Sequence, residues 1–192
     1  MDEANKMNKM VRQLLTLTAL EFGNDTPSIA AFDVTELVHD LINSSGILIQ
    51  QNAAKVSVDM PETLVVMGDE FKIEEVVTNY LTNAMNHLGG DHNIRIWSET
   101  LDGVAKIHVY NNGTPIPEED LPNLWTKFYK VDKARTRAYG GSGIGLSIVK
   151  AIMEAHHQQY DVVNHEDGVE FWFTLALAPE KSEEEEQREE NS

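Results

Sequence analysis

Gly140-Gly141-Ser142-Gly143-Ile144-Gly145-Leu146-Ser147-Ile148-Val149-Lys150 sets four glycines within six residues directly ahead of an apolar, helix-forming run. A glycine-rich loop that ends at a helix start leaves backbone N–H groups unpaired and pointing outward, in the field of the positive end of the helix dipole. Such a loop reads as a phosphate site. The spacing Gly-Gly-x-Gly-x-Gly is neither the phosphate-loop Gly-x-x-x-x-Gly-Lys-Ser/Thr nor the dinucleotide Gly-x-Gly-x-x-Gly, and no strong strand pattern leads into it. On this stretch alone, a glycine hinge before an ordinary helix is the alternative, so the surrounding residues have to decide.

Just upstream, Lys127, Lys130, Lys133, Arg135 and Arg137 cluster in a chain whose formal net charge is −17. A local inversion of charge sign beside a phosphate site reads as a basic lid. Before it, Asn111-Asn112-Gly113-Thr114-Pro115-Ile116-Pro117 forms a polar turn at the end of a buried-strand pattern, where ligands tend to be read. Further upstream, Glu70 to Leu88 carries Ile73, Val76, Val77, Tyr80, Leu81, Ala84 and Met85 at helical spacing, with Asn79, Asn83 and Asn86 interspersed. Asn79 and Asn83 are four apart and share one face beside the apolar stripe. Asn is a poor helix-interior residue, so the pair points to work that a carboxamide performs. Its carbonyl is a hard-oxygen ligand suited to Mg²⁺ held mainly by water and nucleotide phosphates. A structural hydrogen-bond network is the competing reading.

The remaining pattern gives an α/β domain. Ala30 to Phe32 reads as a strand, Asp33 with Glu36 as the capping box of a helix to about Gln51, and Lys55–Asp59 and Leu64–Met67 as two strands. Ile94–Glu99 and Val104–Tyr110 flank Asp102-Gly103 as a hairpin. Glu118 to Lys127 is expected to form a short helix, the glycine loop to open a helix to about His157, and Tyr160–Asn164 to pair with Val169–Leu177. Asp2 to Glu21 has no Gly or Pro and an apolar stripe, an amphipathic helix that wants a partner helix. The expected domains are residues 1–22 for that helix, 23–29 as linker, 30–178 as the main domain, and 179–192 as a solvated, disordered tail. That tail holds seven Glu against Lys181 and Arg188.

At 192 residues, 41% hydrophobic and 24% charged, the composition is that of one main globular domain with appendages. The strong acidity argues against nucleic acid as a partner. No apolar run approaches the roughly 20 residues of a membrane span, no signal peptide opens the chain, and there are no cysteines. A soluble, cytoplasmic location is expected.

Taken in order, Asn-x-x-x-Asn, the polar turn with Gly, Phe-Tyr-Lys and Gly-x-Gly-x-Gly-Leu-Ser-Ile-Val resemble the ATP-binding domain of bacterial sensor histidine kinases. The resemblance implies the Bergerat fold, a two-layer α/β sandwich whose mixed sheet is covered on one face by helices. It implies ATP with Mg²⁺, and Asn83 as the Mg²⁺ ligand. Asn79, Lys127 and Lys130 match catalytic positions. Asn86, His87, Asn111, Gly113 and Ile116 match nucleotide-binding positions, as do Tyr129, Lys130 and Arg135 in the lid. In the glycine loop so do Gly141, Ser142, Gly143, Ile144, Gly145 and Leu146. Asp2 to Glu21 resembles the second helix of the dimerisation hairpin that precedes this domain in such kinases.

The departures are informative. The family sets Asp where Asn111 stands, so restoring that charge is expected to tighten adenine binding. A Lys is replaced by Asn86 and an aromatic by His87, a pattern similar to a subgroup of Gram-positive sensors that includes vancomycin-resistance sensors. Bergerat ATPases place a Glu general base where Asn79 sits, and Asn cannot take up that proton, so transfer to a protein acceptor is favoured over hydrolysis. His39, His87, His92, His108, His156, His157 and His165 all lack the acceptor motif. The chain therefore reads as the catalytic part of a longer, membrane-anchored kinase. Its partners would be its own dimerisation and phosphoacceptor domain, a response regulator, and a second copy in the full-length homodimer. A stand-alone nucleotide module such as an anti-sigma serine kinase, or a degenerate pseudokinase, is the alternative.

Overall fold

Side-chain alternation along seven strands decides the architecture. In the computed structural model, which describes residues 2–21, 26–131 and 143–179, the chain runs α1 (Asp2–Glu21), β1 (Ala30–Asp33), α2 (Val34–Ser44), α3 (Gly46–Gln51), β2 (Lys55–Asp59) and β3 (Val65–Gly68). It continues through α4 (Glu70–Asn86), β4 (Asn93–Leu101), β5 (Val104–Asn112), α5 (Gly145–Ala155), β6 (Tyr160–His165) and β7 (Gly168–Leu177). The strands form one sheet in the order β1-β3-β7-β5-β4-β2, with β6 also on β7. β5 pairs with β7 from Val104 to Asn112, while β6 and β3 share the other edge of β7. β2 lies parallel to β4 and the remaining pairs are antiparallel, so the sheet is mixed as expected.

Ile94, Ile96, Ile107, Val109, Phe171, Phe173 and Leu175 alternate onto one face and are buried there. Tyr80 of α4 packs on Phe171 and Phe173, with ring centroids 5.2 and 6.1 Å away, and α5 packs beside α4. The helices thus cover a single face. The other face carries Arg95, Trp97, Lys106, His108, Tyr110, Glu170 and Trp172. Trp97 stacks on His108 at 4.6 Å, and Lys106 sits 4.0 Å over the Trp172 ring. Burial alone would raise the Glu170 carboxyl, but hydrogen bonds from His108 Nδ1 and His165 Nε2, each 2.7 Å, hold it below the ordinary value.

The β4–β5 hairpin turns through Asp102 and Gly103 with φ of 50° and 79°, the left-handed pair that an Asp-Gly two-residue turn supplies. Two expected helices are corrected. The segment to Gln51 kinks at Ser45, where Ser44-Ser45-Gly46 are weak helix formers, although Ser45 N→Leu41 O and Ile49 N→Ser45 O, both 3.0 Å, carry the bonding across. Glu118–Lys127 forms only a 3₁₀ turn at Leu121–Asn123, because Pro122 removes a donor in its middle. Leu124 is nonetheless buried, as its spacing required. Leu17 of α1 is 1% exposed within the core cluster, whereas Met7, Met10, Val11, Leu14 and Leu15 remain exposed. Among its described side chains, the helix therefore contributes one residue of a longer stripe to the domain core.

Asp33 caps α2 by accepting from Thr35 N and Glu36 N. Asp69 caps α4 by accepting from Lys72 N, and its other oxygen accepts from Ser28 N at 2.9 Å. His156, at the end of α5, ties this corner together: Nδ1–H donates to Ile152 O at 2.8 Å and Nε2 accepts Asp69 N–H at 3.0 Å. Only the neutral ring can make both bonds, and burial, the largest influence, holds His156 below its ordinary pKa.

The unfolded chain therefore takes up this proton first, and the contribution is complete above an unfolded pKa of about 6.5 and is lost as pH falls below it. Urea unfolding from about pH 7.5 to about pH 5.5 should show the stability gap between the wild type and His156→Leu narrowing. A pH-independent gap would contradict the linkage.

Candidate functional site

α4 is the element from which the site is built. Its apolar stripe is buried against the sheet, which leaves Asn79, Asn83 and Asn86 half-buried along one flank. Asn79 Nδ2 donates to Glu75 O at 2.8 Å, one turn back, which fixes its Oδ1 toward the start of α5. There a Cβ on Gly145 would stand 2.6 Å from that oxygen, so glycine lets the helix start lie directly on Asn79. Burial raises the Glu75 carboxyl above its ordinary value against a lowering influence from Lys72. Asn83 and Asn86 have no side-chain hydrogen bond among the described residues, which leaves the Asn83 carbonyl open as a hard-oxygen donor.

The start of α5 has no side-chain cap and no acidic residue in its first turn. Its N-cap, Ile144, is fully buried, and the Ile144 carbonyl accepts from Ser147 Oγ at 2.7 Å. Ile144 can therefore meet a ligand only through its backbone, and Leu146, half-buried, packs on the core. The N–H groups of this turn have no side-chain cap among the described residues and lie at the positive end of the helix dipole, an arrangement that suits an anion. Gly143 O accepts Phe128 N–H at 2.8 Å, which docks the Phe128-Tyr129-Lys130 segment against the same helix start. Tyr129 donates its hydroxyl to Asp120, a bond that raises its pKa and commits the phenol to that partner. Lys127 is exposed and Lys130 half-buried. Arg135, Gly141 and Ser142 lie outside the described residues.

The end of β5 closes the other side. His87 caps α4, and its carbonyl accepts from Asn111 Nδ2 at 3.5 Å, while Asn112 O accepts from the same nitrogen at 3.0 Å. A Cβ on Gly113 would stand 2.4 Å from His87 O, so only glycine permits this approach of turn to helix end. Asn111 is 3% exposed, and with its nitrogen committed its Oδ1 accepts no hydrogen bond among the described residues. The structure thus brings Gly145 onto Asn79, and Asn111 and Gly113 onto His87 farther along α4, with Ile116 on the turn that follows Gly113.

The motif reading overlooked Asn164, Asp167 and Glu75. Ile116 N–H donates to Asn164 Oδ1 at 2.9 Å, and Gly113 N–H donates to Asp167 O at 3.0 Å. An Asn at an inward position of β6 and an Asp at the β6–β7 turn are ordinary in isolation, and only the pairing of distant strands reveals their role.

Residues 68–179 match the family model described as histidine kinase-, DNA gyrase B-, and HSP90-like ATPase. The chain belongs to this ATPase family. ATP is the nucleotide that this family binds. The sensor protein VanSB of Enterococcus faecalis is 31% identical over 171 residues, which is 89% of this chain and 38% of that protein. The catalytic domain of the histidine kinase ThkA superposes with a TM-score of 0.70 at 28% identity, covering 81% of this chain and 99% of that one. ThkA in complex with the response regulator TrrA matches at a TM-score of 0.74 and 26% identity, covering 94% of this chain and 50% of that one. The chain spans between 36% and 45% of the length of the curated relatives it matches.

The geometry at Asn111 sets a structural cost against the expectation that Asp would tighten binding there. Asp would set a carboxylate oxygen against the carbonyls of His87 and Asn112, where Asn111 now donates. Asn111→Asp should lower unfolding stability by about 1–2 kcal/mol and leave ATP affinity no higher. Urea unfolding and calorimetry on the two proteins measure this, and a tighter, equally stable variant would contradict it.

Proposed function

We propose that this chain is the ATP-binding catalytic part of a sensor histidine kinase, passing the γ-phosphoryl of ATP to a histidine on a dimerisation hairpin for relay to a response regulator. The observation that carries the reading is Asn79, held by Glu75 O and pressed against the helix start at Gly145, where the hydrolytic ATPases of the family have a Glu. A carboxamide cannot accept a proton from water, so hydrolysis lacks its base and the phosphoryl group is retained for a protein acceptor.

The chain's own residues then work by positioning. Asn111 Oδ1 accepts from the adenine amino group, the uncapped turn of α5 holds phosphate oxygens, and Lys127 and Lys130 add positive charge beside it. The open carbonyl of Asn83 fits Mg²⁺, whose bound chemistry is neutralisation of phosphate charge. In-line attack comes from an imidazole outside this chain, because none of its seven histidines lies in an acceptor motif.

Two features support the partners. The exposed stripe Met7, Met10, Val11, Leu14 and Leu15 on α1 suits a helix hairpin and its homodimer, with Leu17 anchoring the helix to the catalytic domain. ThkA is seen with a response regulator. The ATP reading places this part on the cytoplasmic side of an anchored sensor; among the described residues no helix is long and apolar enough to cross a membrane.

Asn83→Ala should weaken Mg²⁺-dependent ATP binding on the order of tenfold, about 1.4 kcal/mol, by calorimetry. Equal affinity in both proteins would remove Asn83 from the metal assignment. With labelled ATP, the chain should stay unlabelled and should label a separately supplied cognate hairpin with acid-labile phosphate. Acid-labile label on the chain alone would contradict the missing acceptor, and acid-stable label on a partner's serine would favour the serine-kinase reading.

A further inference from the structure

The turn after β5 has little means of holding its own shape. In Thr114-Pro115-Ile116-Pro117 the two prolines carry no N–H, so Ile116 supplies the only amide donor of residues 115–117, and among the described residues no strand pairs with the segment. A side chain takes the place of that missing strand. Asn164 Oδ1 accepts Ile116 N–H at 2.9 Å, and Asn164 Nδ2 donates to Ile116 O at 2.7 Å. This two-way pairing copies the exchange between opposed residues of an antiparallel ladder, and only a carboxamide both donates and accepts in that geometry.

Asn164 stands where the alternation of β6 calls for an apolar residue, since Tyr160 and Val162 on the same face pack against the core. A polar group at such a position is retained only with its partners satisfied, and here both atoms are. The same hairpin grips the other end of the turn. Asp167 O accepts Gly113 N–H at 3.0 Å, and the Asp167 carboxylate accepts from Asn112 Nδ2 at 3.1 Å and from the Tyr110 hydroxyl at 2.8 Å.

We propose that Asn164 is a positioning residue for nucleotide recognition, locking Ile116 and with it the base-reading turn that begins at Asn111; this rests on the ATP reading of the site. Asn164 touches no nucleotide. It acts by removing the ordering cost that a free turn would charge against base binding. Its effect therefore falls on recognition of the base and not on the triphosphate end, which α5 holds.

The test uses the 192-residue chain as wild type, Asn164→Ala and Asn164→Asp, the last retaining the acceptor for Ile116 N–H but setting an oxygen against Ile116 O. Calorimetry with ATP and with GTP, melting without nucleotide, and amide exchange at Ile116 are measured. The expected result is ATP affinity lowered on the order of tenfold in Asn164→Ala with GTP affinity little changed. Faster exchange at Ile116 should accompany it, while β6–β7 amides stay protected. Asn164→Asp should be impaired as well. Equal loss for ATP and GTP in step with a lowered melting point would make Asn164 merely structural and overturn the proposal. Unaltered ATP affinity in Asn164→Ala would overturn it too while leaving the ATP site intact. A wild type that binds neither nucleotide would overturn the ATP reading and the proposal together.

Discussion

Tyr80 sets the phase of α4, and through it the placement of the carboxamides along that helix. The ring is fully buried against Phe171 and Phe173, its hydroxyl donates to Trp172 O at 3.3 Å, and burial, the largest influence, keeps the phenol neutral far above its ordinary range. At about 100° of rotation per residue, Asn79, Asn83 and Asn86 fall about 100°, 60° and 120° to one side of Tyr80. Anchoring one aromatic therefore aims three amides along a single flank. A rotation of α4 large enough to withdraw them would have to expose a ring whose burial contributes several kcal/mol.

That coupling explains why so much was legible in the sequence. The period of α4, the Asp-Gly hairpin and the alternation of β4, β5 and β7 are all local signals, and they gave the sheet, the covered face and the Asn flank. The helix expected through Glu118–Lys127 does not form: the apolar spacing holds for Leu124, but Pro122 removes a donor in the middle of the segment. The kink at Ser45 is a matter of propensity against a continuous apolar stripe, and the boundary lies where Ser-Ser-Gly falls.

The less legible part of the site is made of contacts between residues far apart in sequence. The charge difference between Asn and Asp at position 111 was readable, but its consequence depends on two carbonyls, one of them 24 residues away on the cap of α4. Asn164 is 48 residues from Ile116 and belongs to no motif. The close approaches at Gly113 and Gly145 follow the motif glycines faithfully, because a missing Cβ is a local property even when its neighbour is distant.

The site's neutrality is the physical thread joining these residues. On the reading proposed above, a chain of net charge −17 holds a polyanion beside four carboxamides, Asn79, Asn83, Asn86 and Asn111, and the one carboxyl among them, Glu75, is raised above its ordinary value by burial. A carboxylate about 5 Å from a phosphate oxygen would cost about 3 kcal/mol at an effective dielectric near 20. Amides supply the same acceptor oxygens without that repulsion, and the positive end of α5 and the basic segment add attraction. The Asp167 carboxylate that does approach the turn is occupied by Tyr110 and Asn112, and Arg95 lies close enough to Tyr110 to lower its pKa against the larger raising influences. The Asp167 charge thus lies behind the turn and neutral acceptors in front of it, and on the reading proposed above the nucleotide is oriented by hydrogen bonds of fixed direction while its charge is met by the helix dipole and the lysines.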